Sequence, residues 1–272
     1  MPELPEVETV RQGITPHLEQ KIIQQVIIRR HDLRWPVDVA LADKLQQQTI
    51  EKIDRRGKYL LFNLANCSGQ LIIHLGMSGT LHLYTDKISP KKHDHVDIIT
   101  PPFTLRFNDP RRFGAVLWNA NPYQHPLIQN LGPEPTQSQD YHTDYLYRIS
   151  RKKKLTVKNF LMDQKNIAGI GNIYASEILF AAHILPSRRT DSLQYNECTQ
   201  LVNASKAILN DAIEQGGTTL KDFKNNEGNP GYFQQSLAVY GRNKQPCIHC
   251  KQDIIKIVQN NRASYFCSHC QK

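Results

Sequence analysis

Three short apolar segments lie close together in residues 59–84, which read YLLFNLANCSGQLIIHLGMSGTLHLY. The segments are Tyr59–Leu64, Gln70–Leu75 and Thr80–Tyr84, and turn-forming residues such as Asn66–Gly69 separate them. Short strands at this spacing are typical of an all-β sandwich or barrel. The same pattern continues outward on both sides in Ile22–Ile28, His95–Ile99, Thr104–Phe107 and Ala115–Trp118.

Helical periodicity flanks this β-rich region. Residues 5–18 are predicted to form a helix, because Val7, Val10 and Ile14 fall three and four positions apart. A second helix is predicted near Asp38–Gln47, and residues 131–150 are predicted to be a linker leading into the next helix. Further helices are predicted around Thr156–Met162, Ile173–Ala182 and Glu197–Glu214. The pattern therefore indicates an α+β protein of more than one domain.

The chain of 272 residues carries its net charge of +9 unevenly. Residues 1–150 hold 17 basic and 16 acidic side chains, a net of +1, whereas residues 151–272 hold 17 and 9, a net of +8. A basic half favours a polyanion partner, although such charge also promotes solubility. No apolar run reaches the roughly 20 residues that span a bilayer. With an acidic start unlike a signal peptide and only six Cys, we expect a cytoplasmic protein without a membrane partner.

Four of the six cysteines form two Cys-x-x-Cys pairs, Cys247 with Cys250 and Cys267 with Cys270, with sixteen residues between the pairs. Zn²⁺ prefers four soft ligands in a tetrahedron, and each Cys-x-x-Cys turn supplies two of them. The alternatives are two disulfides or free thiols, and His249 or His269 could replace a thiolate as a ligand. The spacing predicts one structural zinc ion in a zinc ribbon.

A β-hairpin is predicted between the two cysteine pairs. Ile254–Val258 and Ala263–Phe266 are the expected strands, and Asn260-Asn261 is the expected turn. Arg262 then lies at the hairpin tip, where an arginine is either solvated or bound to a phosphate.

The N-terminus offers a nucleophile. If Met1 is removed, Pro2 becomes a secondary amine at the chain end. An α-amino group titrates near ~7.7–8.0, so a useful fraction is neutral at pH 7. Such an amine can attack an aldehyde or aminal carbon and form an iminium. The neighbouring carboxylates of Glu3 and Glu6 also fit ordinary capping of the helix that follows.

Several longer motifs, spread over the whole chain, share one resemblance. They are Met1–Thr9, Arg56–Leu60, His74–Gly79, Lys92–His95, Asp109–Gly114, Gly169–Glu177, Gly216–Leu220 and Asn261–Ala263 with the terminal cysteines. Together they resemble the Fpg/Nei family of DNA glycosylases. Leu4, where Nei usually has Gly, favours the formamidopyrimidine-DNA glycosylase (Fpg) branch.

The resemblance implies an N-terminal β-sandwich with flanking helices, a helical domain with a helix–two-turn–helix motif, and a C-terminal zinc ribbon. We place the catalytic β-sandwich at residues 1–130, the linker at 131–150, the helical domain at 151–235 and the zinc finger at 236–272. The family consists of bifunctional enzymes of base-excision repair. They remove oxidised purines, chiefly 8-oxoguanine and formamidopyrimidines, from double-stranded DNA and then cleave the abasic strand by β,δ-elimination. A monomer is expected.

The resemblance also implies roles for four catalytic residues. Pro2 matches the Schiff-base nucleophile that attacks the sugar C1′, and Glu3 matches the general acid/base that helps to open the sugar. Lys58 matches the proton donor of β-elimination; without the motif it would be an ordinary solvated lysine beside a turn glycine. Arg262 matches the residue linked to δ-elimination and phosphate binding.

Six further residues match DNA-contacting positions of the family: Met77, His93, Arg111, Phe113, Lys154 and Asn172. Met77, Arg111 and Phe113 match the trio that fills the void left by a flipped base, with Arg111 able to hydrogen-bond the orphaned cytosine. Without the resemblance they would be two core residues and a surface arginine. The resemblance also places residues 218–232 in a loop that closes over the base, and residues 240–242 near the DNA.

Two alternative functions stay open on the sequence. One is Nei-type specificity for oxidised pyrimidines. The other is a DNA-binding zinc-ribbon protein without catalysis, although the presence of Pro2, Glu3 and Lys58 argues against it.

Overall fold

A computed structural model of the chain describes residues 1–65, 69–216 and 237–272. These residues divide into two compact units, one formed by Met1–Gln129 and the other by Asn130–Gln215 together with 237–272. None of the helices in these ranges is long and apolar enough to cross a membrane.

In the described residues, the first unit contains two α-helices, eight strands and a short 3₁₀ helix at Pro122–Gln124. In chain order the α-helices and strands are α1 (Leu4–Leu18), β1 (Gln25–Ile28), α2 (Leu41–Leu45), β2 (Ile50–Arg56), β3 (Tyr59–Leu64), β4 (Gln70–His74), β5 (Thr80–Tyr84), β6 (Asp94–Thr100), β7 (Phe103–Asn108) and β8 (Ala115–Asn119). One sheet has the order β1-β6-β7-β5 and the other β2-β3-β4-β8, and every neighbouring pair is antiparallel.

A single apolar core joins the two sheets. Alternate residues of β3 and β4, such as Phe62 and Ile73, share this core with residues of β6 and β7, such as Ile98 and Phe107. Period-two alternation places one face of each strand inward, so the two sheets form the predicted β-sandwich. Helix α1 adds its apolar stripe to the same core.

Strand β2 is absent from the sequence prediction. Its sequence, IEKIDRR, has buried side chains at Ile50, Ile53 and Arg55, and charged residues occupy five of its seven positions. The strand forms because it pairs along its length with the strongly apolar β3, and because buried Arg55 is neutralised by Glu8 of α1. Tertiary context therefore overrides a weak local β signal here.

The second unit contains four helices and a two-stranded hairpin in the described ranges. The elements are α3 (Thr143–Ser150), α4 (Val157–Met162), α5 (Asn172–Ala181), α6 (Tyr195–Glu214), β9 (Ile255–Gln259) and β10 (Arg262–Phe266). The linker predicted at 131–150 is wrong in its second half. Helix α3 lies there, and Tyr141 and Leu146 are fully buried in the helical core.

The sequence did not predict α3 because TDYLYRIS has only two aliphatic residues, Leu146 and Ile149, among polar and aromatic ones. Its N-terminus is nevertheless well capped, with the His142 ring accepting the Tyr145 N–H. The buried Tyr141 hydroxyl shares a hydrogen bond with Ser205 of α6, 3.0 Å away, which satisfies both polar groups inside the core.

Candidate active site

The N-terminus is enclosed by charged groups of the first unit. Pro2 is buried, and Glu3 is only 1% exposed. Burial lowers the pKa of the α-amine, which Met1 carries in this structure; Lys58 and Arg111 lower it further, and Glu3 and Glu6 oppose the shift. The structure thus brings together Pro2, Glu3 and Lys58, which lie in two motifs far apart in the chain. A lowered pKa increases the neutral, nucleophilic fraction of the amine at pH 7.

A capping box fixes the residues beside the amine. The Glu6 carboxylate accepts the Glu3 backbone N–H at 2.8 Å, and Glu3 caps the first turn of α1 in return. The ordinary capping interpretation and the catalytic one are therefore compatible, because the capping bonds hold Glu3 at the chain end.

Lys58 occupies the second position of the tight turn between β2 and β3, after Gly57 with φ +56. Arg55 holds this turn: its Nη1 donates to the Gly57 carbonyl at 3.0 Å, and its Nε donates to Glu8 Oε2 at 2.8 Å. Since Glu8 lies on α1, one buried ion pair connects the helix that starts at the amine with the turn that carries Lys58. Sequence analysis missed Glu8 and Arg55; a charged pair in otherwise apolar elements was the available signal.

His74 is a neutral imidazole behind Lys58. Burial lowers its pKa to about 4, the positive charges of Lys58 and Arg34 add to the shift, and Asp109 opposes it. Its Nδ1 accepts the Gly76 N–H at 3.1 Å, and its ring packs on Tyr59 at 4.6 Å between centroids. This histidine adds no positive charge near Lys58 at neutral pH.

Met77, Arg111 and Phe113 are all exposed, although each follows a buried strand. Met77 is 41% exposed and Phe113 38%, which is unusual for large apolar side chains. The Arg111 guanidinium carbon lies 4.9 Å from the centroid of the Phe113 ring. Met77 and Phe113 are therefore not core residues, which is what they would be expected to be without the family resemblance. His93 joins this region through its carbonyl, which accepts the Asp109 N–H at 3.0 Å.

The second unit presents Lys154 and Asn172. Lys154 is exposed before α4, and Asn172 is the first residue of α5. Asn172 Nδ2 donates to the Tyr240 hydroxyl at 3.4 Å, and its buried Oδ1 has no partner. Backbone N–H groups at a helix start favour anions, so Asn172 lies where a phosphate can bind.

Arg242, expected near the DNA, is engaged inside its own unit. Its guanidinium donates to the Ala238 carbonyl at 2.7 Å and the Pro246 carbonyl at 2.8 Å. Glu177 of α5 completes this brace by accepting the backbone N–H groups of residues 238–240 at 2.8, 3.1 and 2.8 Å. Both side chains therefore fix the segment that leads into the cysteine module. The predicted loop at 218–232 lies outside the described residues.

Arg262 is exposed at the start of β10, directly after the turn Asn260-Asn261. Both asparagines have positive φ, +46 and +59, as a type I′ hairpin turn requires. The hairpin prediction is confirmed. Buried Lys158 of α4 donates to the Ala263 carbonyl at 2.6 Å and so anchors the strand next to Arg262.

The four cysteine sulfurs form a compact cluster in which all lie within 4.8 Å of one another. The Sγ distances of 3.9 Å (Cys247 to Cys270) and 3.4 Å (Cys250 to Cys267) exclude disulfides, whose S–S distance is about 2.05 Å. A tetrahedral zinc with Zn–S bonds of about 2.3 Å requires S···S distances of roughly 3.8 Å. His249 instead stacks on Phe180 at 5.2 Å, and His269 is exposed. The four thiolates therefore fit zinc.

Models of known protein families match three parts of the chain. They are the formamidopyrimidine-DNA glycosylase N-terminal domain at residues 1–116, the formamidopyrimidine-DNA glycosylase H2TH domain at 131–224, and a zinc finger found in FPG and IleRS at 244–272. Proteins named formamidopyrimidine-DNA glycosylase from Marinobacter nauticus and Hydrogenovibrio crunogenus are 48% and 50% identical. Each match covers 100% of this chain, and 100% and 97% of the respective relative.

The chain belongs to the formamidopyrimidine-DNA glycosylase (Fpg) family. Among solved structures, Fpg from Thermus thermophilus matches with a TM-score of 0.89 and 36% identity, over 99% of this chain and 98% of that one. A Lactococcus lactis Fpg bound to DNA matches with a TM-score of 0.90 and 32% identity over 100% of both.

Membership in the Fpg family confirms the predicted fold class and the structural zinc. It also confirms a DNA glycosylase and AP lyase of base-excision repair, which removes the non-catalytic alternative.

Proposed function

We propose that this Fpg-family enzyme, once Met1 is removed, uses the Pro2 nitrogen as its nucleophile toward oxidised purines in double-stranded DNA. The observation that carries the proposal is the burial of Pro2, Glu3 and Lys58 in one unit, where the charges of Glu3 and Lys58 act on the α-amine that Met1 carries in this structure. Fpg structures from Lactococcus lactis with DNA containing Fapy-dG or an abasic site support damaged DNA as the partner.

The Pro2 lone pair attacks C1′ of the damaged nucleotide, and the bond from C1′ to the base breaks with its electrons leaving on the base. The proton that the Pro2 nitrogen then gives up neutralises the departing base. Glu3 donates a proton to the ring oxygen as the sugar opens, which leaves an iminium between Pro2 and C1′. The iminium acidifies the neighbouring C2′ proton, which the Glu3 carboxylate accepts as the 3′ phosphate leaves by β-elimination.

Lys58 is the proposed proton donor during β-elimination, and its position beside the amine fits that role. Arg262 is proposed to bind the 5′ phosphate that leaves in the subsequent δ-elimination. A fixed guanidinium binds phosphate oxygens with charge-assisted hydrogen bonds and stabilises a leaving phosphate. Water then releases the sugar fragment from Pro2 and regenerates the amine.

We further propose how the DNA is held. Met77, Arg111 and Phe113 replace the flipped nucleotide in the stack, because two exposed apolar side chains and an arginine project from adjacent loops of the first unit. His93, Lys154 and Asn172 are proposed to contact the backbone. The proposed catalytic groups around the amine all come from one chain, which supports a monomer, and we propose a cytoplasmic location.

The test uses sodium borohydride, which reduces the iminium to a stable amine and leaves protein joined to DNA. A protein with free Pro2 should be trapped on 8-oxoguanine or abasic duplex. The same protein with one extra N-terminal residue should not be trapped, because its proline nitrogen is then part of a peptide bond.

The matched control is the extended protein after a protease has removed the extra residue and exposed Pro2 again. Full trapping before cleavage would move the nucleophile away from Pro2. Parallel excision assays on oxidised pyrimidine duplexes separate the Fpg-type reaction from the Nei-type alternative.

A further inference from the structure

Asp109 is a fully buried carboxylate at the end of β7, with 0% of its surface exposed. Its Oδ1 accepts the Ser78 hydroxyl at 2.7 Å and the Arg111 N–H at 3.2 Å, and its Oδ2 accepts the Gly114 N–H at 2.8 Å. A buried carboxylate needs such donors to satisfy its oxygen atoms in place of water. These three bonds reach both loops from which the proposed void-filling residues project.

The main chain of Asp109 is fixed as well. Its N–H donates to the His93 carbonyl at 3.0 Å, and its carbonyl accepts a hydrogen bond from His95 Nε2 at 2.8 Å. His95 is only 2% exposed, so this bond is held inside the protein. The carboxylate therefore cannot shift without breaking contacts to the start of β6.

The two loops also touch through their backbones. Gly76 has φ +64, and a Cβ added there would lie 2.5 Å from the backbone of both Phe113 and Gly114. Only glycine permits this approach. The loop with Met77 and the loop with Arg111 and Phe113 are thus packed without intervening side chains, and the Ser78–Asp109 bond crosses between them.

We infer that Asp109 is a positioning residue that determines opposite-base specificity, because it joins the two loops into one rigid wedge. The inference rests on the proposed roles of Met77, Arg111 and Phe113. A long, exposed arginine distinguishes bases only if its backbone is fixed relative to the duplex, because otherwise it can satisfy its donors on several bases. The Asp109 carboxylate fixes that backbone through its buried hydrogen bonds, without itself contacting DNA.

The variants remove the connection in steps. Ser78→Ala deletes the hydroxyl that donates to Asp109 and accepts the Arg111 N–H at 3.3 Å, and leaves the bonds of Asp109 to Arg111 and Gly114 in place. Ser78→Thr keeps a hydroxyl, and Asp109→Asn replaces an acceptor oxygen with a donor amide that opposes a backbone N–H. Asp97→Asn is the matched control, since Asp97 is a buried carboxylate of the same sheet that pairs with Arg106 and Arg29.

The measurement is the single-turnover rate of 8-oxoguanine excision opposite cytosine divided by the rate opposite adenine. This ratio is independent of the folded fraction, so loss of stability alone does not change it. We expect Asp109→Asn to lower the ratio about tenfold and Ser78→Ala about threefold, within the discrimination that one base-edge contact supplies. Ser78→Thr and Asp97→Asn should keep the ratio of the unmodified protein.

Arg111→Ala, measured in parallel, separates the proposed positioning role of Asp109 from the proposed base-contacting role of Arg111. If Arg111→Ala lowers the ratio and both Asp109→Asn and Ser78→Ala preserve it, the positioning role of Asp109 is overturned and the role of Arg111 stands. If Arg111→Ala itself preserves the ratio, both are overturned. An equal loss in Asp97→Asn would show that the ratio responds to any altered buried carboxylate of the β-sandwich, and would also overturn the inference. Should Asp109→Asn fail to fold, Ser78→Ala decides.

Discussion

The groups around the N-terminus in the first unit and the proposed phosphate-binding groups in the second unit are held in opposite ways. In the first, Glu3, Lys58 and the ion pair of Glu8 with Arg55 are buried among hydrogen-bonding partners. In the second, Lys154 is exposed in the loop before α4 and Arg262 is exposed at the start of β10. Chemistry at a sugar carbon requires shifted pKa values and fixed distances, whereas phosphate contacts require positive charge in the correct place. We propose accordingly that the first unit supplies the reaction and that the second supplies much of the binding to DNA phosphates.

Removal of zinc should have the largest effect and should separate the two units most clearly, because all four cysteines of the cluster lie in the second unit. Structural zinc in small fingers contributes about 10–16 kcal/mol of binding energy that is also folding energy. Chelation or Cys247→Ser should therefore unfold the ribbon and abolish tight DNA binding. The β-sandwich should stay folded because it has its own core. Far-UV circular dichroism and a DNA-binding titration check the two parts of this expectation.

The control for zinc removal is Cys198→Ala, which removes a cysteine that lies outside the cluster. It should retain zinc and bind DNA. A metal-free protein that binds and cuts damaged DNA normally would show that the ribbon has no part in the grip.

A smaller effect should come from His74, inside the first unit. Its pKa is about 4 in the folded chain against 6.5 ordinarily. The unfolded chain therefore takes up a proton below pH 6.5 while the folded chain resists until about pH 4, and stability falls as the pH falls through that window. At about 1.4 kcal/mol per pH unit, the loss reaches roughly 3 kcal/mol at pH 4.

His74→Asn removes this titration and keeps an oxygen that can accept the Gly76 N–H. Urea unfolding between pH 7 and pH 4 should show the free energy of unfolding falling about 3 kcal/mol less in the variant than in the unmodified protein. Parallel pH dependences would mean that His74 is not held neutral.

Arg262→Ala should have the smallest effect of the three. A lost charge-assisted hydrogen bond costs about 1.5–3 kcal/mol, so DNA binding should weaken roughly tenfold or more while zinc stays bound. δ-Elimination should slow more than base removal, which gels that separate the β- and δ-products would show. Lys256→Ala, an exposed cation on the neighbouring strand, is the control. Equal slowing of base removal and δ-elimination in Arg262→Ala would contradict its role.

Sequence patterns predicted much of the fold because most elements carry a strong local signal. Seven strands alternate or are continuously apolar, and the cysteine spacing alone indicated the ribbon. Strand β2 and helix α3 were missed because their polar sequences are stabilised by contacts distant in the chain, through Arg55 with Glu8 and through Leu146 in the helical core.

The proposed site residues came from motifs, whereas the residues that support them came only from the structure. Asp109 lies inside a motif that the sequence analysis used for Arg111, yet nothing in a linear pattern connects its carboxylate with Ser78, 31 residues earlier. Arg242 is the reverse case: the motif placed it near the DNA, but its guanidinium donates hydrogen bonds to backbone carbonyls of its own unit. Burial and hydrogen-bond direction, which depend on tertiary structure, separate these roles.

We propose above all that the Pro2 nitrogen carries the sugar during the reaction. The most direct test is to trap the complex with borohydride, digest the protein and the DNA, and locate the modified residue by tandem mass spectrometry. The claim predicts that the sugar remnant is on Pro2 of chains that lack Met1. A remnant on Lys58, or on chains that retain Met1, would contradict it.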